Sequence, residues 1–351
     1  MRAARFNGPK DVTITDIPEP QLRAGTVAID IAWCGICGTD LHEYQEGPIF
    51  IPAKGHPHPL THEQQPVTMG HEFSGTVSAV GEGITDIAIG ENVVVEPYVV
   101  CGECAPCKAG RYNLCTKMGF IGLAGGGGGL SEKIVVDRRW VHPVGDIPLD
   151  EAALIEPLSV GHHAFMRSGA KAGDVAFVGG AGPIGLLLAA VLKAEGLTVI
   201  ISELNETRKA RAHSTAVADH ILDPSQENVA ARVLELTNGL GADVCFECSS
   251  VNAVLDQLLA AVKPGGVVVN VSIWSQPATI DMQALVLKEI DLRGTIAYVN
   301  DHPATIKLVQ QGKVTLAPFI TAKIALERLV PDGFDTLIHH NETAVKILVH
   351  P

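Results

Sequence analysis

A chain of 351 residues exceeds what one hydrophobic core ordinarily organises, so two domains are expected. It is rich in apolar residues and glycine and modest in charge, and its net charge of −13 argues against a Lys/Arg surface that tracks nucleic-acid phosphates. No apolar run of about 18 residues appears, and the opening MRAARFNGPKDVTITDIPEP lacks the apolar core and cleavage site of a signal peptide. No nucleic-acid or membrane partner is therefore expected, and a cytoplasmic location follows by default.

The N-terminal part reads as β-rich. TVAIDIAWC, FSGTVSAVG, ENVVVEPYVV and SEKIVV alternate or run apolar, and Gly, Pro and Asp break them. Between them lie residues with chemical potential. CGICGTDLH contains Cys37, Thr39 and His42, and TMGHEFSG contains His71 and Glu72. His71-Glu72 is not a zincin motif, because no second histidine follows one helical turn later. It is not a deaminase motif either, which needs H-x-E and a later P-C-x-x-C. A mixed cysteine, histidine and carboxylate set would leave an open position on a catalytic zinc. Taken singly, each of these residues is more often core or cap than ligand; together they make a candidate metal centre.

Four more cysteines follow as C-x2-C-x2-C-x7-C: Cys101, Cys104, Cys107 and Cys115. Four thiolates suit a closed, tetrahedral, structural zinc with no vacancy for water or substrate. An iron–sulfur centre, reduced thiols and disulfides are the alternatives, though a reducing cytosol disfavours the last. GLAGGGGGLSE, at 122–132, reads as a flexible turn without chemistry. Glu156, in ALIEPLSVGHHA, stands where the N-terminal region hands over to a different pattern and is a further candidate carboxylate.

From there strand and helix alternate, the signature of a parallel sheet in an α/β unit. VAFVGG is a buried strand, and a helix is predicted from Pro183 to about Glu195. TVIISE is the next strand. NETRKARAHSTA and ENVAARVLELTNG are helices, ADVCFECSS a strand, NAVLDQLLAAVKPGG a helix and VVVNVS a strand. The first turn carries Gly180-Ala-Gly182-Pro183-Ile184-Gly185. In this context it is a dinucleotide fingerprint: a tight turn, close approach of the pyrophosphate, close helix packing, and phosphates at a helix N-terminus. Glu203 ends the second strand, placed to accept from the adenosine ribose hydroxyls and to repel a 2′-phosphate, which favours NAD over NADP. Arg208, one helical turn further, suits packing near the adenine. After Tyr298 a helix (DHPATIKLVQQGKV) and a closing strand (KILVH) are predicted.

With CGICGTDLH, GHEFSGTVSAVG, the four-cysteine lobe, EPLSVGHHA and VGGAGPIG in place, the chain resembles the zinc-dependent medium-chain dehydrogenases, the alcohol and polyol group, over essentially its whole length. The resemblance implies an α/β protein: a GroES-like β-rich catalytic domain from residues 1–152 and 298–351, and a Rossmann NAD-binding domain over 153–297. It implies one catalytic and one structural zinc per chain. Cys37 and His71 match catalytic ligands, with Glu72 and Glu156 both candidates for the third. Thr39 matches the hydroxyl that receives the substrate proton, and His42 the end of the relay, reached through the nicotinamide ribose. Ile184, Glu203 and Arg208 match cofactor contacts, as do the backbone segments Val271-Ser272-Ile273 and Ile296-Ala297-Tyr298.

The loop GPIFIPAKGHPHPLTHEQQPVTMGHE is similar to that of branch members acting on 2,3-butanediol rather than on sorbitol or threonine. Its His56, His58 and His62 raise another metal site, but the interleaved prolines read as a surface loop. The implied activity is NAD-linked interconversion of a small vicinal diol or secondary alcohol with its ketone, 2,3-butanediol and acetoin first, by a homodimer or homotetramer. Sorbitol, other polyols and threonine are the rival substrates. A zinc-stabilised NAD-binding protein without catalysis is the rival class.

Overall fold

The structure is a computed structural model that describes residues 1–340 and 344–351. Two compact units emerge: Met1–Glu156 with His302–Gln310 and Thr315–Pro351, and Pro157–Asp301 with Gln311–Val314.

The first unit is built on a seven-stranded sheet in the order Val141–Pro143, Asn92–Val95, Glu72–Val80, Thr26–Gly35, Lys346–His350, Ile320–Ala325, with Lys133–Asp137 also paired to Thr26–Gly35. Thr26–Gly35 is its spine. Gly35 stands opposite Glu72 on one side and Leu348 on the other. The apolar strand faces bury Val27, Ile29, Phe73, Val77, Val93 and Leu348. Each large aliphatic among them contributes on the order of 1.5–3 kcal/mol.

The glycine-rich patch does not behave as a flexible turn. Gly129 N–H donates to the Gly70 carbonyl at 2.8 Å and Leu130 N–H to the Met69 carbonyl at 2.9 Å. A Cβ at Gly122 would run into the Gly70 carbonyl, and one at Gly129 would come within 2.6 Å of the Phe73 ring. These glycines let one backbone lie directly on the segment that carries His71 and Glu72, a close approach that a side chain would prevent.

The second unit carries a six-stranded parallel sheet in the order His220–Leu222, Thr198–Ser202, Val175–Gly179, Ala242–Glu247, Val262–Asn270, Asp291–Gly294. The order reverses between Val175–Gly179 and Ala242–Glu247, which makes a topological switch point at the carboxyl ends of those strands. Phe177, Ile200, Cys245 and Val268 pack with Val229 and Val233 of the helix Val229–Leu236 and with Leu255, Leu258 and Leu259 of the helix Asn252–Ala261. Asn205 and Asn228 cap the helices Glu206–Ser214 and Val229–Leu236 by accepting from Arg208 N–H and Ala231 N–H.

The helix expected over 252–266 stops at Ala261, and Val262–Asn270 is a strand. Pro264 disfavours the helical region for Lys263, and Val262 finds a ladder partner in Ala242. Among the described residues no helix is long and apolar enough to cross a membrane.

Candidate active site

Cys37, His71 and Glu72 each bring a ligand atom within 4.8 Å of the others. Cys37 stands at the N-cap of the helix Gly38–Glu46, just past the spine strand, and Glu72 opens the neighbouring strand. Asp40, fully buried, ties two of these residues together. Its Oδ2 accepts from Cys37 N–H at 2.9 Å, and its Oδ1 faces His71 Nδ1 at 3.6 Å. Neither Asp40 Oδ1 nor His71 Nδ1 has a hydrogen-bond partner of normal length. Such a carboxylate behind Nδ1 directs Nε2 at a metal, the usual support of a ligating histidine.

Lys346 lies on the other side. Its Nζ donates to Glu72 Oε2 at 2.6 Å, to Oε1 at 2.8 Å and to the Ile36 carbonyl at 3.1 Å. Gly35 makes this possible, because a Cβ there would strike Glu72 Oε2 and come within 3.3 Å of Lys346 Cδ. Burial lowers the Lys346 pKa, but Glu72, Cys37 and Glu156 outweigh it and hold the ammonium above its ordinary value. Burial likewise lowers His71, and Asp40, Cys37 and Glu156 raise it well above the imidazole range. Burial pushes the Asp40 carboxyl up.

Three buried carboxylates, Asp40, Glu72 and Glu156, thus gather with Lys346 and His71 beside the Cys37 sulfur. Buried carboxylates are costly unless cations join them. Thiolate, imidazole and carboxylate are the donor set of a zinc with an open fourth position, so these residues fit the metal. Glu156, in the first turn of the helix Ile155–Ser168, is buried and acts on both His71 and Lys346; it is not in the group of three within 4.8 Å. Thr39 Oγ1 is 3.8 Å from Cys37 Sγ, and His42 follows one turn later on the same helix, exposed.

The four-cysteine lobe forms the second cluster of ligand atoms. All eight cysteines are free thiols, so disulfides are set aside. Cys101 and Cys115 sulfurs lie 3.4 Å apart, near the roughly 3.8 Å between thiolates on one tetrahedral zinc. Backbone amides point at sulfur, including Cys101 N–H to Cys115 Sγ and Cys104 N–H to Cys101 Sγ, both 3.4 Å. Amides of Cys107 and Thr116 hold the Cys104 thiol down at about 6, ready to ligate as thiolate. Tyr98, Tyr112 and Trp140 pack their rings together beside the lobe.

At the switch point, Gly180 takes φ +103°, and a Cβ at Gly185 would collide with the Gly180 carbonyl. Gly182 N-caps the helix Pro183–Ala194, with Pro183 in its first turn and Ile184 next, and open space surrounds the Gly182 Cβ position. That space is the cradle a diphosphate needs at a helix N-terminus. Glu203 is already engaged: Oε2 accepts from Ala181 N–H at 2.8 Å and Oε1 from Asn205 N–H at 2.9 Å. It thereby fixes the glycine turn, and each oxygen retains a lone pair for a ribose hydroxyl. Arg208 lies 4.0 Å from Glu203, turned toward the carboxylate.

Val271 N–H and Ser272 N–H donate to the Glu247 carbonyl at 2.9 and 3.3 Å, and the Ile273 carbonyl accepts from Ser250 Oγ. Ile296, Ala297 and Tyr298 follow the strand Asp291–Gly294; Ala297 is left-handed and Tyr298 is buried. In the inserted loop, His58 Nδ1 accepts from Leu60 and Thr61 amides, and Thr61 Oγ1 donates to the Ala124 carbonyl. His56, His58 and His62 do not form a metal group among the described residues.

Sequence reasoning missed Asp40 and Lys346. Asp40 had a local signal, an acid three residues after an N-cap position. Lys346 had only its oddity as a lone cation opening an apolar strand.

The family model described as the alcohol dehydrogenase GroES-like domain matches residues 23–146, and that described as zinc-binding dehydrogenase matches 183–311. The (R,R)-butanediol dehydrogenase of Neisseria gonorrhoeae is 64% identical, covering 100% of this chain and 99% of its own. That of Bacillus subtilis is 45% identical with 100% of both chains covered. The crystal structure of 2R,3R-butanediol dehydrogenase from Bacillus subtilis superposes with a TM-score of 0.93 at 44% identity, covering 100% of this chain and 99% of that one.

Proposed function

The chain belongs to the zinc-dependent alcohol dehydrogenase family, and from that membership we propose that it interconverts (R,R)-2,3-butanediol and acetoin with NAD as hydride carrier. One observation carries the substrate: the likeness to butanediol dehydrogenases runs end to end and reaches 64% identity.

Zinc, when bound, supplies a Lewis acid that lowers the pKa of a substrate hydroxyl, and NAD supplies the hydride acceptor. The protein does the rest. Cys37, His71 and a glutamate hold the metal and leave one position for the substrate. Glu72 and Glu156 are both candidates for that glutamate, and Lys346 competes with the metal for Glu72. Thr39 Oγ1 would accept the alcohol proton while its own hydroxyl proton passes on, by way of a cofactor ribose hydroxyl, to His42, which lies one turn on in water and exchanges protons with solvent. Gly180, Gly182, Pro183, Ile184 and Gly185 cradle the diphosphate. Glu203 accepts from the adenosine ribose and repels a 2′-phosphate, which selects NAD over NADP. Cys101, Cys104, Cys107 and Cys115 hold a second, structural zinc. Functionally, residues 1–152 and 298–351 make the catalytic part and 153–297 the nucleotide part.

The same reading includes a homo-oligomer. The helix Met282–Lys288 exposes Met282, Val286 and Leu287 at 62%, 70% and 75% just before the edge strand Asp291–Gly294, an apolar strip that a second copy would cover. Eight free thiols suit the reducing cytoplasm.

Steady-state kcat/KM with NAD for (R,R)-, meso- and (S,S)-2,3-butanediol, sorbitol and threonine tests the substrate. The (R,R) isomer should lead by at least about tenfold, the scale of one well-placed polar contact. A lead for sorbitol or threonine would overturn the assignment.

A further inference from the structure

The two adjacent histidines of EPLSVGHHA have no place in the mechanism above, yet both are buried and both reach one carboxylate. His162 Nδ1 lies 2.5 Å from Asp301 Oδ1, and His163 Nδ1 lies 3.0 Å from Asp301 Oδ2. Val299 N–H donates to the same Oδ2 at 2.7 Å. An ionised carboxylate only accepts, so both imidazoles present Nδ1–H to it. Burial pushes Asp301 up, but these donors outweigh it and hold the carboxyl at about 2.

The turn this clamp anchors is strained. Ala297 and Asn300 take φ +47° and +57°, left-handed values that non-glycine residues keep only where their surroundings impose them. The turn leaves the carboxyl end of the strand Asp291–Gly294. All six strands are parallel, so that end lies on the same edge as the glycine turn. The glycine turn and Glu203 belong to the half of the sheet that takes the adenosine side of a dinucleotide. The strands beyond the switch point, Ala242–Glu247, Val262–Asn270 and Asp291–Gly294, form the half that takes the nicotinamide side.

We propose that Asp301, clamped by His162 and His163, is a positioning residue that holds the Ile296–Asn300 turn in the shape that binds the nicotinamide end of the cofactor. It touches neither substrate nor cofactor; it acts through the backbone of the turn. The proposal rests on the NAD reading above.

Binding of NADH and of ADP-ribose, which lacks the nicotinamide, to the zinc-loaded full-length protein tests it by calorimetry. Asp301→Asn should weaken NADH about tenfold or more, the worth of a charge-assisted hydrogen bond, and leave ADP-ribose within roughly twofold. His163→Asn, which keeps an N–H near the Nδ1 position, should bind NADH within roughly threefold of wild type, whereas His163→Leu should resemble Asp301→Asn. Parallel weakening of both ligands in Asp301→Asn, or equal behaviour of His163→Asn and His163→Leu, overturns the positioning role. Should Asp301→Asn not fold, the His163 pair decides alone. Wild-type protein that binds neither ligand removes the dinucleotide reading itself, and the proposal with it; wild type that binds ADP-ribose as tightly as NADH overturns the nicotinamide-side role alone.

Discussion

Lys346 and Glu72 form a buried ion pair, with 2.6 and 2.8 Å separating Nζ from the two carboxylate oxygens and 3% and 1% of the side chains exposed. The pair spans the sheet across Gly35, whose missing side chain is the space it occupies. Because Glu72 is also within reach of Cys37 and His71, its charge is shared between a fixed ammonium and whatever cation those ligands hold.

Lys346→Met should therefore lower stability by about 3–5 kcal/mol, since it strands a buried carboxylate. Adding Glu72→Gln should recover most of the loss, because the orphaned charge goes with it. Thermal unfolding of the two variants and wild type checks this. Equal loss in single and double variants would show that the pair is not the cause.

Asp40→Asn keeps an acceptor for Cys37 N–H but removes the charge facing His71 Nδ1. Zinc affinity or turnover should fall about 10- to 100-fold, the usual effect of losing a partner behind a ligating histidine. Zinc competition with a chelator reads the affinity directly.

The two cysteine sites should separate on substitution. Cys37→Ser should abolish turnover and remove one zinc while leaving the melting temperature near wild type. Cys104→Ser should lower the melting temperature and leave NADH affinity of the surviving folded protein unchanged. Metal analysis beside calorimetry distinguishes them; selective loss of hydride transfer in Cys104→Ser would reverse the two roles.

Glu203→Ala should weaken NAD binding and relax discrimination against NADP. The carboxylate holds the Ala181 amide and, on the proposed reading, would repel a 2′-phosphate. Loss of one or two such bonds corresponds to roughly 10-fold in NAD affinity. An unchanged NADP/NAD ratio of kcat/KM would assign Glu203 to turn geometry alone.

Asp301 gives a pH dependence. Its folded-state pKa of about 2 lies below the ordinary 3.8, so its contribution is fully present above about pH 4 and is lost as pH falls toward 2. The shift is worth about 2 kcal/mol. Wild type should exceed Asp301→Asn in stability at neutral pH, with the gap closing between about pH 4 and 2. Urea midpoints measured for both along that range test the sign; a gap that widens with acid would contradict it.

The spacing of Cys101, Cys104, Cys107 and Cys115 is local, and so is the glycine turn that opens the helix at Pro183. Both could be read because neighbours in sequence are neighbours in space. Lys346 could not, since its partner is Glu72 and only strand pairing through Gly35 brings them together. The glycine run at 125–129 misled for a different reason. Composition reports conformational freedom in the unfolded chain, whereas here the absent side chains serve close packing. The helix read through to Gly266 overran because a periodic apolar pattern does not register that Val262 has a ladder partner.

That packing has a mechanical meaning. With glycine at 122 and 129, the distance from one backbone to the one bearing His71 is set by the thickness of a peptide group and two direct amide bonds at Gly70 and Met69. Side chains can change rotamer with temperature; a peptide group cannot. The tract that composition marks as the loosest part of the chain thus works as a spacer of fixed gauge, and the ligand geometry it backs should stay constant on warming until the sheet itself melts.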